Sequence, residues 1–154
     1  MKRMVRLFGE HQGGAVVQAA SANAVLALAP ALVGKSLTCK VVATGPGGST
    51  SATTAAVTVL PGAAPHPVTG KGPKITGTPK KGKALKCNAG TWTPKPDRFT
   101  YQWKRNGKAV RGATKAQYKL VAGDVGKKIT CTVSAIAAGY AKGVATTKPV
   151  KATK

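Results

Sequence analysis

Three runs of alternating polar and apolar residues constrain this chain most, because each carries one residue that is costly to misplace. K-A-L-K-C ends at Cys87, F-T-Y-Q-W ends at Trp103, and K-I-T-C-T-V holds Cys131. Period-two alternation is the pattern of a half-buried strand, since successive side chains leave a pleated backbone on opposite faces. Leu85 and Cys87 then share one face, as do Phe99, Tyr101 and Trp103, and as do Ile129, Cys131, Val133 and Ala135. Gln117 to Val121 turns Tyr118 and Leu120 inward in the same way, and Val144 to Val150 reads as a closing strand. Asn106-Gly107 is a hairpin signal, because both central positions of a type I′ turn need positive φ. The outward positions are Thr, Gln, Ser and Lys, which suits antiparallel sheets wetted on one face. With 19 Gly and 10 Pro, short strands and frequent turns are favoured over helices, and the expected class is all-β.

The chain also repeats itself. Val33-Gly34-Lys35-Ser36-Leu37-Thr38-Cys39-Lys40-Val41-Val42-Ala43 matches Val125-Gly126-Lys127-Lys128-Ile129-Thr130-Cys131-Thr132-Val133-Ser134-Ala135 without a gap, at one offset (131 − 39 = 92). That offset is about the length of one sandwich module. The second copy, 72–154, holds every strand of a module. The first, 24–61, holds only the C-terminal strands, with Leu26 and Leu28 in the places of Tyr118 and Leu120 and Leu32 in that of Asp124. Residues 1–23 read as an irregular N-terminal segment too short to supply the missing strands. Residues 62–71, G-A-A-P-H-P-V-T-G-K, read as a short stiff linker. The first copy is therefore either a fragment of a longer repeat array or a half module that borrows strands from a partner.

The ordered set Ile75-Thr76-Gly77-Thr78-Pro79, Gly82-Lys83-Ala84-Leu85-Lys86-Cys87, Gly90-Thr91-Trp92, Tyr101-Gln102-Trp103, Asn106-Gly107-Lys108-Ala109-Val110, Gly112-Ala113-Thr114, Tyr118-Lys119-Leu120 and Asp124-Val125-Gly126-Lys127-Lys128-Ile129-Thr130-Cys131 covers nearly all of 72–153. It resembles the bacterial immunoglobulin-like repeats strung along large secreted or surface proteins, especially in actinobacteria and their phages. The resemblance implies an immunoglobulin-like β-sandwich in which Cys87 and Cys131 join two facing strands and the Trp103 indole packs on the sulfurs. Leu85, Tyr101, Trp103, Tyr118, Ile129 and Val133 would form its core. It implies a spacer, adhesive or polymer-binding module with no enzyme activity and no cofactor.

A disulfide places the chain in an oxidising compartment. Cys39 is left over, as a small buried hydrophobe or as one end of an intermolecular bond. A metal site lacks ligands, since His11 and His66 both lie outside the second copy. M-K-R-M-V-R-L-F begins like a signal peptide, but Gly9 to Gly14 interrupts any apolar stretch, so no signal is clearly present. A membrane span is not expected, for want of about 20 continuous apolar residues.

Catalysis fails on inventory. Glu10, Asp97 and Asp124 are the only carboxylates and no two stand in a related spacing. Asp124 is expected to cap the turn before the second-cysteine strand, with Arg111 as its candidate partner, and Asp97 to form a turn. Trp92 is expected in the core and Tyr140 exposed. Charge is the remaining signal: 25 Lys and Arg against 3 acids give +22, a field directed at polyanions. The candidate contacts are Lys80, Lys81 and Lys83, then Lys104, Arg105 and Lys108, then Lys127 and Lys128. Lys predominates, which favours diffuse attraction over bidentate reading.

The first expectation is thus a non-enzymatic surface or spacer module, secreted or on a cell surface, whose cationic face contacts acidic envelope polymers at low specificity and which has neighbouring repeats as further partners. The alternatives are a virion decoration module of a capsid or tail, and a nucleic-acid-binding protein driven by charge. No small-molecule substrate is implied.

Overall fold

The computed structural model describes residues 4–11, 16–21 and 26–154, with side chains from residue 26 onward. The described chain is all-β. Helical geometry is confined to two 3-10 turns, Pro30–Leu32 and Ala122–Asp124. No helix among the described residues is long and apolar enough to cross a membrane. The chain divides into two compact units, Met1–Pro61 and Gly62–Lys154.

The first unit is a single antiparallel sheet of β1 (Met4–His11), β2 (Val16–Ser21), β3 (Ser36–Gly45), β4 (Gly48–Thr53) and β5 (Val57–Thr58). Its order is β2-β1-β3-β4, with β5 continuing the β4 edge along the start of β3. Two strands therefore occupy the stretch read as irregular. β1 pairs with β3 from Met4↔Thr44 to His11↔Leu37 without a break. Nothing local announces such pairing, because a strand's partner is fixed by long-range register rather than by its own composition.

The second unit contains β6 (His66–Pro67), β7 (Lys74–Thr76), β8 (Ala84–Asn88), β9 (Trp92–Thr93), β10 (Arg98–Arg105), β11 (Lys108–Ala109), β12 (Gln117–Lys119), β13 (Lys128–Ile136), β14 (Gly143–Thr146) and β15 (Val150–Lys151). One sheet runs β11-β10-β13-β14, with β15 along the start of β13, and a second runs β12-β8-β7. Cys87 on β8 and Cys131 on β13 are bonded across the two, with Cα atoms 6.4 Å apart. They lie in one buried cluster with Leu85, Trp92, Trp103, Leu120, Ile129, Val133 and Ala135. Tyr101 and Tyr118 are half-buried against it, and the Tyr118 ring stacks on Trp103 at a centroid distance of 5.5 Å. The indole N–H of Trp103 donates to the Lys115 carbonyl at 2.8 Å, so the buried ring leaves no polar atom unpaired. Asn106 and Gly107 turn β10 into β11 with φ of 46° and 82°, the type I′ requirement.

The sequence repeat is also a structural repeat. Each cysteine strand follows a 3-10 turn, and Gly34 and Gly126 hold the same left-handed conformation, at φ 80° and 76°. Cys39 N–H donates to Thr54 Oγ1 at 3.0 Å, as Cys131 N–H donates to Thr147 Oγ1 at 3.0 Å. Gly34 N–H donates to the Val59 carbonyl at 2.8 Å, as Gly126 N–H donates to that of Ala152 at 2.8 Å. β1 stands to β3 as β10 stands to β13, with Gly9 opposite Cys39 where Trp103 is opposite Cys131.

Residues 62–71 are not a free linker. Gly62 bridges to Tyr140, His66 and Pro67 pair with Thr93 and Trp92, and Pro65 is fully buried. Thr91 N–H donates to the Lys71 carbonyl at 2.8 Å. Proline-spaced small residues extend the chain whether it spans a gap or straps a sandwich edge, so composition does not separate the two.

Candidate polyanion-binding site

The three basic stretches converge at one end of the second unit. β8 begins there and β12 ends there, since Ala84 pairs with Lys119. β10 ends where β13 begins, with Arg105 opposite Ile129, and β15 closes beside it, with Lys151 opposite Lys128. Two backbone ties draw the Lys80–Lys83 turn in. Lys80 bridges to Thr153, and Gly82 N–H donates to the Leu120 carbonyl at 2.9 Å. The hairpin is fastened to the β13 start by Lys128 N–H on Asn106 Oδ1, at 2.8 Å. Lys80, Lys81, Lys83, Lys108, Lys127 and Lys128 are exposed on this pole, joined by Lys119, Lys151 and Lys154. Lys104 is half-buried.

A shallow groove of about 430 Å³ opens beside the hairpin, lined by Arg105, Asn106, Lys108, Ala109, Val110, Arg111 and Lys127. Four cations line it and no carboxylate does. Like charges so placed lower their mutual repulsion by drawing in an anion, which is the physical basis of a polyanion contact.

Among the described side chains, the one carboxylate near this pole is withdrawn from solvent. Asp124 is fully buried and accepts Arg105 Nε at 2.6 Å, the Tyr118 hydroxyl at 2.9 Å and Val121 N–H at 2.8 Å. The hydrogen bond from Arg105 to Asp124 raises the guanidinium's pKa above its ordinary value. Burial first, and the Asp124 hydrogen bond second, push the Tyr118 phenol above 10.0.

These contacts exchange two expected roles. Arg105, expected among the polyanion contacts, is bound to Asp124, and Arg111, expected beside Asp124, is exposed in the groove. The signal was available: Arg105 continues the inward phase of Phe99, Tyr101 and Trp103, so a cation there requires a buried carboxylate.

At the far end, Asp97 Oδ2 accepts Ala138 N–H at 2.8 Å, tying the loop before β10 to the end of β13. Trp92 is buried, with its indole N–H on the Ala89 carbonyl at 2.7 Å, while Tyr140 is exposed. Among the described residues no group of three or more His, Cys, Asp or Glu side chains could hold a metal ion. A larger cleft of about 660 Å³, walled by Pro67, Pro73, Ile75, Pro149 and Val150, has only Lys74 and Lys148 as charged groups. Neither protein-family models nor curated proteins give a match to this chain.

Proposed function

We propose that the second unit is an immunoglobulin-like, non-enzymatic module of a secreted or cell-surface protein, a spacer or adhesive element that holds acidic polymers against its cationic pole. One observation carries this reading. Basic stretches far apart in sequence share a pole on which Asp124 is buried and already bonded. The Cys87–Cys131 bond suits an oxidising, extracellular setting. Lysine on a flexible stem attracts without fixed geometry, so the contact orders a polymer by charge density rather than by chemical identity.

The test is titration of the full chain against a teichoic-type wall polymer, a heparin-like chain and duplex DNA, at low and at physiological salt. Comparable binding of all three, lost together in a Lys108→Glu, Arg111→Glu, Lys127→Glu variant, supports the proposal. A variant reversed at Lys74, Lys95 and Lys142, which holds the same net charge, must bind more tightly than the pole variant. Equal loss in the two variants overturns a localised site. Retention of DNA alone at high salt makes the protein a nucleic-acid binder instead.

A further inference from the structure

We infer that the sheet of the first unit is a self-association surface, on which two copies of the chain pack face to face and join through Cys39. This does not depend on the polyanion reading.

The second unit shows what the sheet face around a cysteine strand of this kind requires. There Ile129, Cys131, Val133 and Ala135 of β13 are wholly buried, under the β12-β8-β7 sheet that carries Cys87. Their repeat counterparts on β3 are Leu37, Cys39, Val41 and Ala43. All four are only half-buried, and β3 has no buried residue anywhere along its length. Among the described residues the first unit has no second sheet, and Cys39 has no disulfide partner. A sheet wetted on both faces cannot bury enough apolar surface to offset the entropy of ordering it.

Three features commit the occupant to a second copy. The register brings no Lys, Arg, Asp or Glu to this row: Leu37, Cys39, Val41 and Ala43 pair with His11, Gly9, Leu7 and Val5 of β1, and Leu37, Val41 and Ala43 with Val57, Ala52 and Thr50 on the other side, while Lys40 falls on the opposite face. With His11 at one end as its single titratable residue besides Cys39, the row offers little to an acidic partner, whereas two such rows suit each other. Cys39 sits on an interior strand, where a two-fold axis can pass through a symmetric bond. The register also leaves room. Gly9 stands opposite Cys39, where Trp103 fills the core opposite Cys131, so two sheets can approach to the separation a disulfide needs.

The area lies at the lower end of what a stable interface needs. At about 3.3 Å per residue and about 4.8 Å between strands, the 10 residues of β3 in a four-strand-wide sheet span at most about 33 by 19 Å, or roughly 630 Å², where standard interfaces bury ~600–1,000 Å² per partner. Bond formation needs an oxidant. Two Cys39 thiols and one small-molecule disulfide give one protein disulfide and two small-molecule thiols. One Cys39 thiolate attacks the small disulfide, releasing a small thiolate and leaving a mixed disulfide. The Cys39 thiolate of the second copy attacks the protein sulfur of that mixed disulfide and expels the second small thiolate.

The test uses the full chain, incubated with oxidised glutathione and examined by non-reducing electrophoresis, then by sedimentation after reduction. A covalent dimer that disappears in Cys39→Ser is expected. Under reduction the wild-type chain should still associate, more strongly at high salt as repulsion between the +22 chains is screened. Val41→Lys should weaken that association about tenfold or more by burying a charge in the interface, and Thr38→Lys, on the other face, should not. Four results overturn the inference: a wild-type monomer at every concentration, a Cys39 that stops at the glutathione adduct, equal effects of Val41→Lys and Thr38→Lys, or a covalent dimer that survives Cys39→Ser.

Discussion

Arg105 Nε and Asp124 Oδ1 meet at 2.6 Å, joining the end of β10 to the turn that launches β13. Asp124 has no exposed surface and three donors, so it acts as the pin of that corner rather than as a charge. Asp124→Ala leaves the Tyr118 hydroxyl and Val121 N–H without their acceptor and the guanidinium without its counter-ion. The expected loss is about 3 kcal/mol of unfolding free energy, toward the low end for broken buried pairs because Arg105 is partly solvated. Arg111→Ala should change stability by no more than about 0.5 kcal/mol. Denaturant unfolding of the two variants checks the assignment.

The same corner makes stability fall at high pH. Tyr118 titrates above 10.0 in the folded chain, through burial and then through Asp124. The raised value means the folded state keeps its proton where the unfolded state has lost it, so the contribution is complete below about pH 10 and declines as pH rises through the folded pKa. Unfolding midpoints of wild type and Tyr118→Phe at about pH 9 and pH 11 should show a steeper alkaline decline in wild type. A parallel decline in both would sink the argument.

The disulfide closes a loop of 44 residues. In the chain-entropy model a loop of that length contributes on the order of 4 kcal/mol, chiefly by restricting the unfolded chain. Cys87→Ala with Cys131→Ala should lower stability by about that amount in calorimetry, since both sulfurs are buried and packing is lost as well. Cys39→Ser should leave the stability of the second unit unchanged.

What could be read from the chain was whatever local pattern encodes. The faces of β8, β10 and β13 follow from alternation, and the turn at Asn106-Gly107 from the need for two positive φ values. The Arg105 partnership followed from the same alternation carried two residues further. β1 could not be read, because Val5, Leu7 and Gly9 gain meaning only in register with Ala43, Val41 and Cys39. The strap at residues 62–71 was hidden for a related reason. Its prolines announce an extended backbone, and only the β9 partner turns that backbone into an edge.

That strap gives a prediction of its own. Gly90 holds φ +77°, and a Cβ there would lie 2.7 Å from the Gly72 carbonyl oxygen, with backbone on the far side. Gly90→Ala combines a disfavoured backbone conformation with a clash that no side-chain rotation relieves. It should cost about 2 kcal/mol or more and detach the strap before the sandwich unfolds. Limited proteolysis should then cut between Val68 and Gly72 in the variant while sparing wild type.

The cationic pole predicts a particular salt response. Each phosphate neutralised on duplex DNA releases condensed counterions, so log K falls with log salt by about 0.9 per contact. Arg105 is spoken for by Asp124, which leaves Lys108, Arg111 and Lys127 as the groove's free cations. Neutralising those three with Gln should reduce the slope by up to about 2.7. Arg105→Gln should reduce it by less than one contact's worth while lowering stability. The two effects separate cleanly in titrations over a salt series run beside thermal melts. If Arg105→Gln flattened the slope as much as Arg111→Gln, the buried carboxylate would not be holding that guanidinium, and the division of labour between the two arginines would be wrong.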